Sequence, residues 1–512
     1  MPFIDHRGDL KVAYLLGIDI GTHESKGVLV AETGRIVATV AVPHETARPQ
    51  PGWAEHDADE VWWHDAVAMA RELPSRAGIP AREIAAVACS AIGPCVLPVD
   101  ANGRPLRPGI LYGIDNRATE QVGRLTAELT EAWIVAETGS ALSSQAAGPK
   151  VLWIRDHEPH VWAATRRLMT ATSYLVYRFT GRVVIDHYTA AAYGPMYSLR
   201  RRDWVERGLR PICTRSMLPD LEWSTAIAGV LNRGAAAETG LAEGTPVTVG
   251  TADAAAEAVA ASVLDPGDTM LMYGTSMFFI QICDRRPSSR VQWPTVYLVP
   301  GTYALAGGMS TAGALLTWFR DVFAAGLDGA DAITTLAAEA AAAPRGAGGV
   351  LALPYFSGER TPVNDPLARG IIAGLTLSHG RSHIYRSFME AIAYGIRQNL
   401  DAMADAGMPA RRLVAIGGGA RNPLLVQIVS DVTGREQEVH ASVGAAYGNA
   451  MMAAVGVGIL EDLSATRTWV GTGPIVRPDP EASQFYDRRY LLYRQLYDDT
   501  ADLMHTLASN DA

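Results

Sequence analysis

The chain has 512 residues, which at about 100–200 residues per domain means two to four domains and more than one core. Hydrophobic residues make up 48% and charged residues 19%, a balance that excludes the disordered and fibrous classes. The formal net charge is -10 and no stretch concentrates basic residues, so nucleic acid is not an expected partner.

The leading segment MPFIDHRGDLKV has no apolar run before Ala13. No window of ~18 uninterrupted apolar residues occurs, so we expect neither secretion nor membrane spanning and place the protein in the cytoplasm. Cys89, Cys95, Cys213 and Cys283 are scattered and form no C-x-x-C pair; they read as reduced thiols. Lys11, Lys26 and Lys150 are the only lysines, and a lysine kept in an arginine-rich chain marks a place suited to a compact charge.

In chain order, AYLLGIDIGTHESKGVLVAETGRIVATVAV predicts strands at 15–20, 28–30 and 36–42, joined by a Gly-Thr turn and by Gly34. Residues 83–89 lead into a further strand, 151–157 lie on a helix, and 245–250 form a strand entering Thr251-Ala252-Asp253. Pro266-Gly267-Asp268 reads as a domain junction. GDTMLMYGTSMFFIQICD then repeats the first device, with strands at 270–273 and 277–282 around Gly274-Thr275-Ser276. Two related halves of α/β layers follow from that repeat. The Ala/Gly-rich run 338–349 is a helix ending in a loop, and 382–406, apolar at Ile384, Phe388, Ile392, Ile396 and Leu400, is a core helix stopped by Gly407. VAIGGGARNPLLVQIVSDVTG spells a strand, a triple-glycine turn, Asn422 as N-cap, Pro423 at the first helical position and Gly434 as terminator.

A Gly-Thr turn between strands turns backbone N–H groups and a hydroxyl toward an anion, and two such turns can hold one polyphosphate between the halves. Taken singly, each is also an ordinary hairpin turn. Lys26 follows the first turn and is either a phosphate ligand or a solvated charge. Asp19, in an apolar strand, suits a magnesium-associated carboxylate or caps its turn. Asp253, between a strand and an alanine-rich helix, is either an N-cap or a base for a hydroxyl attacking a γ-phosphoryl group. Gly417-Gly418-Gly419 lets a flat ring approach the backbone, with Asn422 offering polar contacts. No G-x-x-x-x-G-K-[ST] and no G-x-G-x-x-G after a strand occurs. The His157/His160 and His379/His383 pairs have metal-compatible spacing without a third ligand, so surface or capping roles are expected. Trp62 and Trp63 read as core, whereas Trp53 suits a sugar face.

Together these residues resemble the FGGY carbohydrate kinases of the actin/hexokinase/Hsp70-like superfamily, over about 14–458. The strongest stretch, LPYFSGERTPVNDPLARGIIAGL, is similar to the xylulokinase form of that family, with support from PGWAEHDADEVWW and GPKVLWIRDHEP. The resemblance implies two actin-like (ribonuclease H-like) ATPase domains around a cleft. Residues 1–257 would bind sugar and phosphate, and 258–512 the adenine nucleotide. It implies ATP and Mg²⁺, Asp253 as catalytic base, and Asp19 near the metal. Thr22 and Lys26 would belong to the first phosphate loop and Gly274, Thr275 and Ser276 to the second. Gly313 and Thr317 would lie on the adenine side, with Gly418, Gly419 and Asn422 at the adenosine turn. Ile92, Gly93, Pro94, Tyr112, Asp115 and Trp53 would flank the sugar. Domain closure would exclude water, and a homodimer is in keeping with the family.

The departures concern substrate. Ile92-Gly93-Pro94-Cys95 replaces a Gln-Met-His-Gly pattern, which removes a histidine, and Tyr112-Gly113-Ile114-Asp115-Asn116-Arg117 replaces Trp-Asn-Asp-Gly-Arg. Phe388 stands where a smaller residue is usual. The expected reaction is phosphorylation of a terminal hydroxyl, xylulose first, with ribulose, a pentitol or tetritol, glycerol or a signalling polyol as alternatives. A nucleotide-switched binding protein of the same superfamily is the alternative from another class.

Overall fold

The expected meander forms as β1 (Tyr14–Ile20), β2 (Glu24–Ala31) and β3 (Ile36–Pro43), each antiparallel to the next. On the other side of β1 lie parallel strands: β4 (Ile84–Ala91), then β5 (Pro246–Thr248), with β6 (Thr251–Ala252) also pairing to β4. The expected single strand at 245–250 is split. Val249 and Gly250 turn their N–H groups to the carbonyls of Ala226 and Ser224, and the ladder resumes one step later at Thr251.

The second sheet repeats this plan. A hairpin of β7 (Asp268–Tyr273) and β8 (Met277–Cys283) continues into β9 (Tyr303–Met309). Parallel β10 (Arg412–Ile416) and β11 (Gln437–His440) lie on the far side of β7. Both halves thus place a central strand between a meander and parallel strands, as the internal repeat requires. This is a computed structural model; it describes residues 12–327, 329–440 and 444–510. Most of the leading segment, including Lys11, falls outside them.

Local signals account for most helices. Helix α1 (Ala147–His157) carries the expected 151–157, and the core helix runs as α4 (Arg381–Asp405). Helix α5 (Pro423–Thr433) is capped by Asn422, whose Oδ1 accepts the N–H groups of Leu424 and Leu425 at 3.1 and 3.2 Å. Helix α2 (Asp253–Ala260) begins on the residue after β6, and α3 (Gly313–Phe323) begins beside the second Gly-Thr turn. Trp62 and Trp63 are buried, and Phe388 packs among Trp318, Phe319 and Phe356. All four cysteines are free thiols. Among the described residues no helix is long and apolar enough to cross a membrane.

One helix joins the halves. Helix α6 (Ala445–Gly456) follows β11 of the second sheet in sequence, yet it packs on β1, β4 and α2 of the first half. The approach is close enough to require glycine: a Cβ on Gly17 would lie 1.9 Å from the Ala446 carbonyl oxygen, and one on Gly448 would lie 1.9 Å from that of Ala256. We expect Gly448→Val to cost at least about 2–3 kcal/mol through overpacking against backbone that has no room to shift. Gly123→Ala, on an open helix surface, is expected to stabilise by about 0.5–1 kcal/mol. Thermal and denaturant melts of the two variants check the contrast.

Candidate active site

A cavity of about 480 Å³ opens between the two halves. Its first wall includes Gly93, Pro94, Tyr112, Gln145, Tyr188 and Asp253; the facing wall includes Ser276, Phe278, Trp293, Ser310 and Arg360. Asp253 is the first residue of α2, with Ala252 in the cap position. Its carboxylate accepts only the adjacent Ala254 N–H, at 2.7 Å, among the described residues. It does not cap the helix in the usual way, which leaves it available to the cavity.

Asp19 sits near the carboxyl end of β1, 9% exposed. Ser90 Oγ, on the neighbouring strand β4, donates to it at 2.7 Å. Asn449 Nδ2, on α6, donates to Ser90 Oγ and to the Ile18 carbonyl, each at 2.7 Å. Burial raises the Asp19 carboxyl above its ordinary value, opposed by the Ser90 bond and by Lys26. Burial also raises Asp253, and the Asp19 charge raises it further. Glu257, one helical turn after Asp253, is pushed up to about 8 by burial and by the same two carboxylates. The site is therefore a set of desolvated acids with too little positive charge among them.

The remaining expected residues fall into three places. Thr22, in the first turn, is hydrogen-bonded through Oγ1 to the Tyr112 hydroxyl at 3.2 Å. Lys26 stands opposite Asp19 in the β1–β2 register, solvent-exposed and 3.3 Å from Glu24. The second turn is stitched to α3: Gly274 O accepts from Gly313 N at 3.0 Å and Thr275 O from Ala314 N at 2.9 Å, with Thr317 one turn further along the helix. Gly418 and Gly419 lie in a short helical turn against the end of β7, beside Tyr273. They and Asn422 form a second cluster with the Gly274 turn, outside the cavity lining.

Trp53, Asp115 and Ile92 stand behind the cavity wall. The Arg117 guanidinium lies 3.9 Å from the Trp53 ring centroid, and Trp153 meets the same ring edge-on at 5.1 Å. Asp115 is fully buried and accepts from Ala54 N and Arg117 Nη2, both at 2.7 Å. Ile92 belongs to the first-half core. The paired histidines are used locally: His157 stacks on Trp153, and His383 Nδ1 accepts from Gly380 N at 3.2 Å.

Several residues of the site carry no local signal. Lys150, on α1, is buried, and its Nζ donates to Tyr112 O at 2.8 Å and Ser144 O at 2.7 Å. It joins two segments of the cavity wall, and burial pulls its ammonium down to about 8. Its place between two carbonyls suits a compact ammonium better than a guanidinium. Trp293, Phe278, Tyr188 and Arg360 reach the cavity from strands and loops far apart in sequence, and Ser90 and Asn449 act from behind it.

Two lobes of one topology around a cleft, with a Gly-Thr turn on each side, define the two-domain actin-like ATPase class of fold. More narrowly, the chain belongs to the FGGY family of carbohydrate kinases: the family's N-terminal domain matches residues 14–260 and its C-terminal domain residues 269–457. It is 30% identical to the xylulose kinase of Escherichia coli (strain K12), over 96% of this chain and 99% of that protein. It is 29% identical to the xylulose kinase of Bacillus subtilis (strain 168), over 97% and 99%. The crystal structure of xylulose kinase from Rhodospirillum rubrum superposes with a TM-score of 0.90 at 33% identity, covering 96% of this chain and all of that one.

The Asn449–Ser90–Asp19 relay makes a testable demand. Removing the Ser90 hydroxyl deletes a bond that favours the ionised carboxylate. Ser90→Ala should therefore lower turnover about tenfold or more and move the acidic limb of the pH–rate profile to higher pH. An unchanged profile would show that Ser90 plays no part in holding Asp19 ionised.

Proposed function

We propose that the protein transfers the γ-phosphoryl group of ATP to a terminal hydroxyl of a small sugar, D-xylulose first, with residues 1–257 holding the acceptor and 258–512 the nucleotide. One observation carries the reading: a carboxylate with a raised pKa, Asp253, faces the cleft between two halves that each present a Gly-Thr turn. In the transfer, the phosphorus–oxygen bond to the departing ADP breaks as a bond to the acceptor oxygen forms. Asp253 takes the hydroxyl proton. Thr22 and Lys26 on one side and Ser276 on the other face the phosphates.

The donor set fits Mg²⁺. Among the described residues no group of three His, Cys, Asp or Glu side chains is placed to hold a metal ion by itself, which suits an ion held by one carboxylate with water and phosphate oxygens filling its other positions. Asp19 would hold it, and when bound it supplies the positive charge that Asp19, Asp253 and Glu257 lack. The protein's own part is to orient Asp19 through Ser90 and Asn449 and to narrow water access through the apolar wall of Phe278, Trp293 and Pro94.

A second reading, a polyol other than xylulose, is favoured by Gly93 and Pro94. They line the cavity where the related pattern carries a histidine, and neither side chain offers a hydrogen-bond donor. A coupled ADP-release assay with ATP and Mg²⁺ against pentuloses, pentitols, tetritols, glycerol and hexuloses separates the two. Turnover highest on D-xylulose supports the first reading, and a different preferred polyol makes this wall the specificity determinant. ADP release that no polyol stimulates would contradict both and favour a nucleotide-switched binding protein.

Asp253→Asn should lower turnover by about 10²–10⁴-fold while nucleotide binding, measured by calorimetry, persists. The wild-type rate should fall as the pH drops through the raised Asp253 value, because only the ionised carboxylate accepts a proton. A rate independent of pH between about 5 and 8 would remove Asp253 from that role.

A further inference from the structure

The second-half wall of the cavity carries a guanidinium, that of Arg360, which makes no direct ion pair among the described residues. Arg360 Nη2 donates to two backbone carbonyls, Met309 O at 2.7 Å and Met277 O at 3.2 Å. Its Nε is buried without a hydrogen-bond partner, and among the described residues the guanidinium makes no ion pair. The adjacent Glu359 favours the charged guanidinium through its field but makes no direct bond to it; its Oε1 accepts the backbone N–H groups of Ser310 and of Arg360 itself.

This guanidinium is half-buried at the cavity wall, 5.8 Å from the Trp293 ring centroid, and its direct bonds go to neutral carbonyls, a setting in which an anion in the cavity would complete its shell. Its anchors say where that anion comes from. Met277 follows Ser276 of the second Gly-Thr turn and Met309 precedes Ser310, and both serines line the cavity with Arg360. Across the cavity, the Tyr112 phenol feels both the Asp253 carboxylate and the Arg360 cation. The guanidinium thus lies between the second phosphate turn and the wall that carries the base.

We propose that Arg360 is a further catalytic residue, which binds the phosphoryl group as it passes to the acceptor and then holds the phosphate of the product. This rests on the kinase reading above. No proton moves through Arg360: the hydroxyl proton goes to Asp253 and the bonding pair leaves with ADP, while Arg360 offsets charge on the phosphoryl oxygens. A planar, always-charged fork suits that task better than an ammonium.

The test uses the full chain carrying Arg360→Met or Arg360→Lys, with two readouts. In steady-state assays Arg360→Met should lose about 10²–10³-fold in kcat with the acceptor KM changed less than about threefold, and Arg360→Lys should fall between it and wild type. Added guanidinium ion should restore part of the Arg360→Met rate. In calorimetry without nucleotide, inorganic phosphate should bind wild type and fail to bind Arg360→Met.

Wild-type kcat in Arg360→Met would overturn the proposal, as would phosphate binding that is absent from wild type or unaffected by the substitution. A loss of rate with lowered melting temperature in both variants and no rescue would also overturn it, by making Arg360 a structural residue. If the wild type phosphorylates no acceptor while phosphate binding still depends on Arg360, the phosphate site stands and the acceptor assignment falls.

Discussion

The site depends on the seating of α6. A helix inserted between two strands of the second sheet lies against the first, through glycines at which any side chain would collide with backbone oxygen. That contact delivers Asn449 to the Ile18 carbonyl and Ser90, and through Ser90 to Asp19. The orientation of a first-half carboxylate is thus set by a second-half helix. Movement of the halves must carry α6 along with β1 or disturb Asp19.

The electrostatics explain why the cleft is built this way. Asp19, Asp253 and Glu257 share a desolvated region, and each has its carboxyl raised above the ordinary value, first by burial. A carboxyl whose folded value exceeds its unfolded one favours the folded state when protonated. The stability these groups lend is complete below about pH 4 and is lost as the pH rises through the raised values. At neutral pH, where these carboxyls tend to ionise, their mutual repulsion costs stability, and on the function proposed above a cation pairing with the acids would offset that cost. An active site that costs stability until its ligands arrive is a common trade between stability and function.

Much of this was readable from the sequence, because the signals are local. Gly21-Thr22 and Gly274-Thr275-Ser276 punctuate apolar runs, and Asn422-Pro423 opens a helix by its own chemistry. The repeat predicted two halves, and both sheets share a core order in which a central strand lies between an antiparallel meander and two parallel strands. Asp253, Gly93, Pro94, Tyr112 and Ser276, chosen by motif and resemblance, line one cavity. Tertiary relations were not readable. Trp53 and Asp115 are engaged by Arg117, whose burial between Trp53 and Trp153 no spacing foretells. Arg360 lies within the strongest family stretch, yet nothing in the sequence shows that its guanidinium bonds to the Met277 and Met309 carbonyls at the cavity wall. Lys150 stands out by rarity and by its place in GPKVLWIRDHEP, and its two carbonyl partners supply the reason.

Transfer of a phosphoryl group to a carbohydrate in the cleft can be watched by ³¹P NMR of the protein with ATP, Mg²⁺ and D-xylulose. A new phosphate-monoester resonance should grow in step with ADP, with no matching release of inorganic phosphate. ADP accompanied only by inorganic phosphate, with no monoester from xylulose or any polyol supplied in its place, would contradict it.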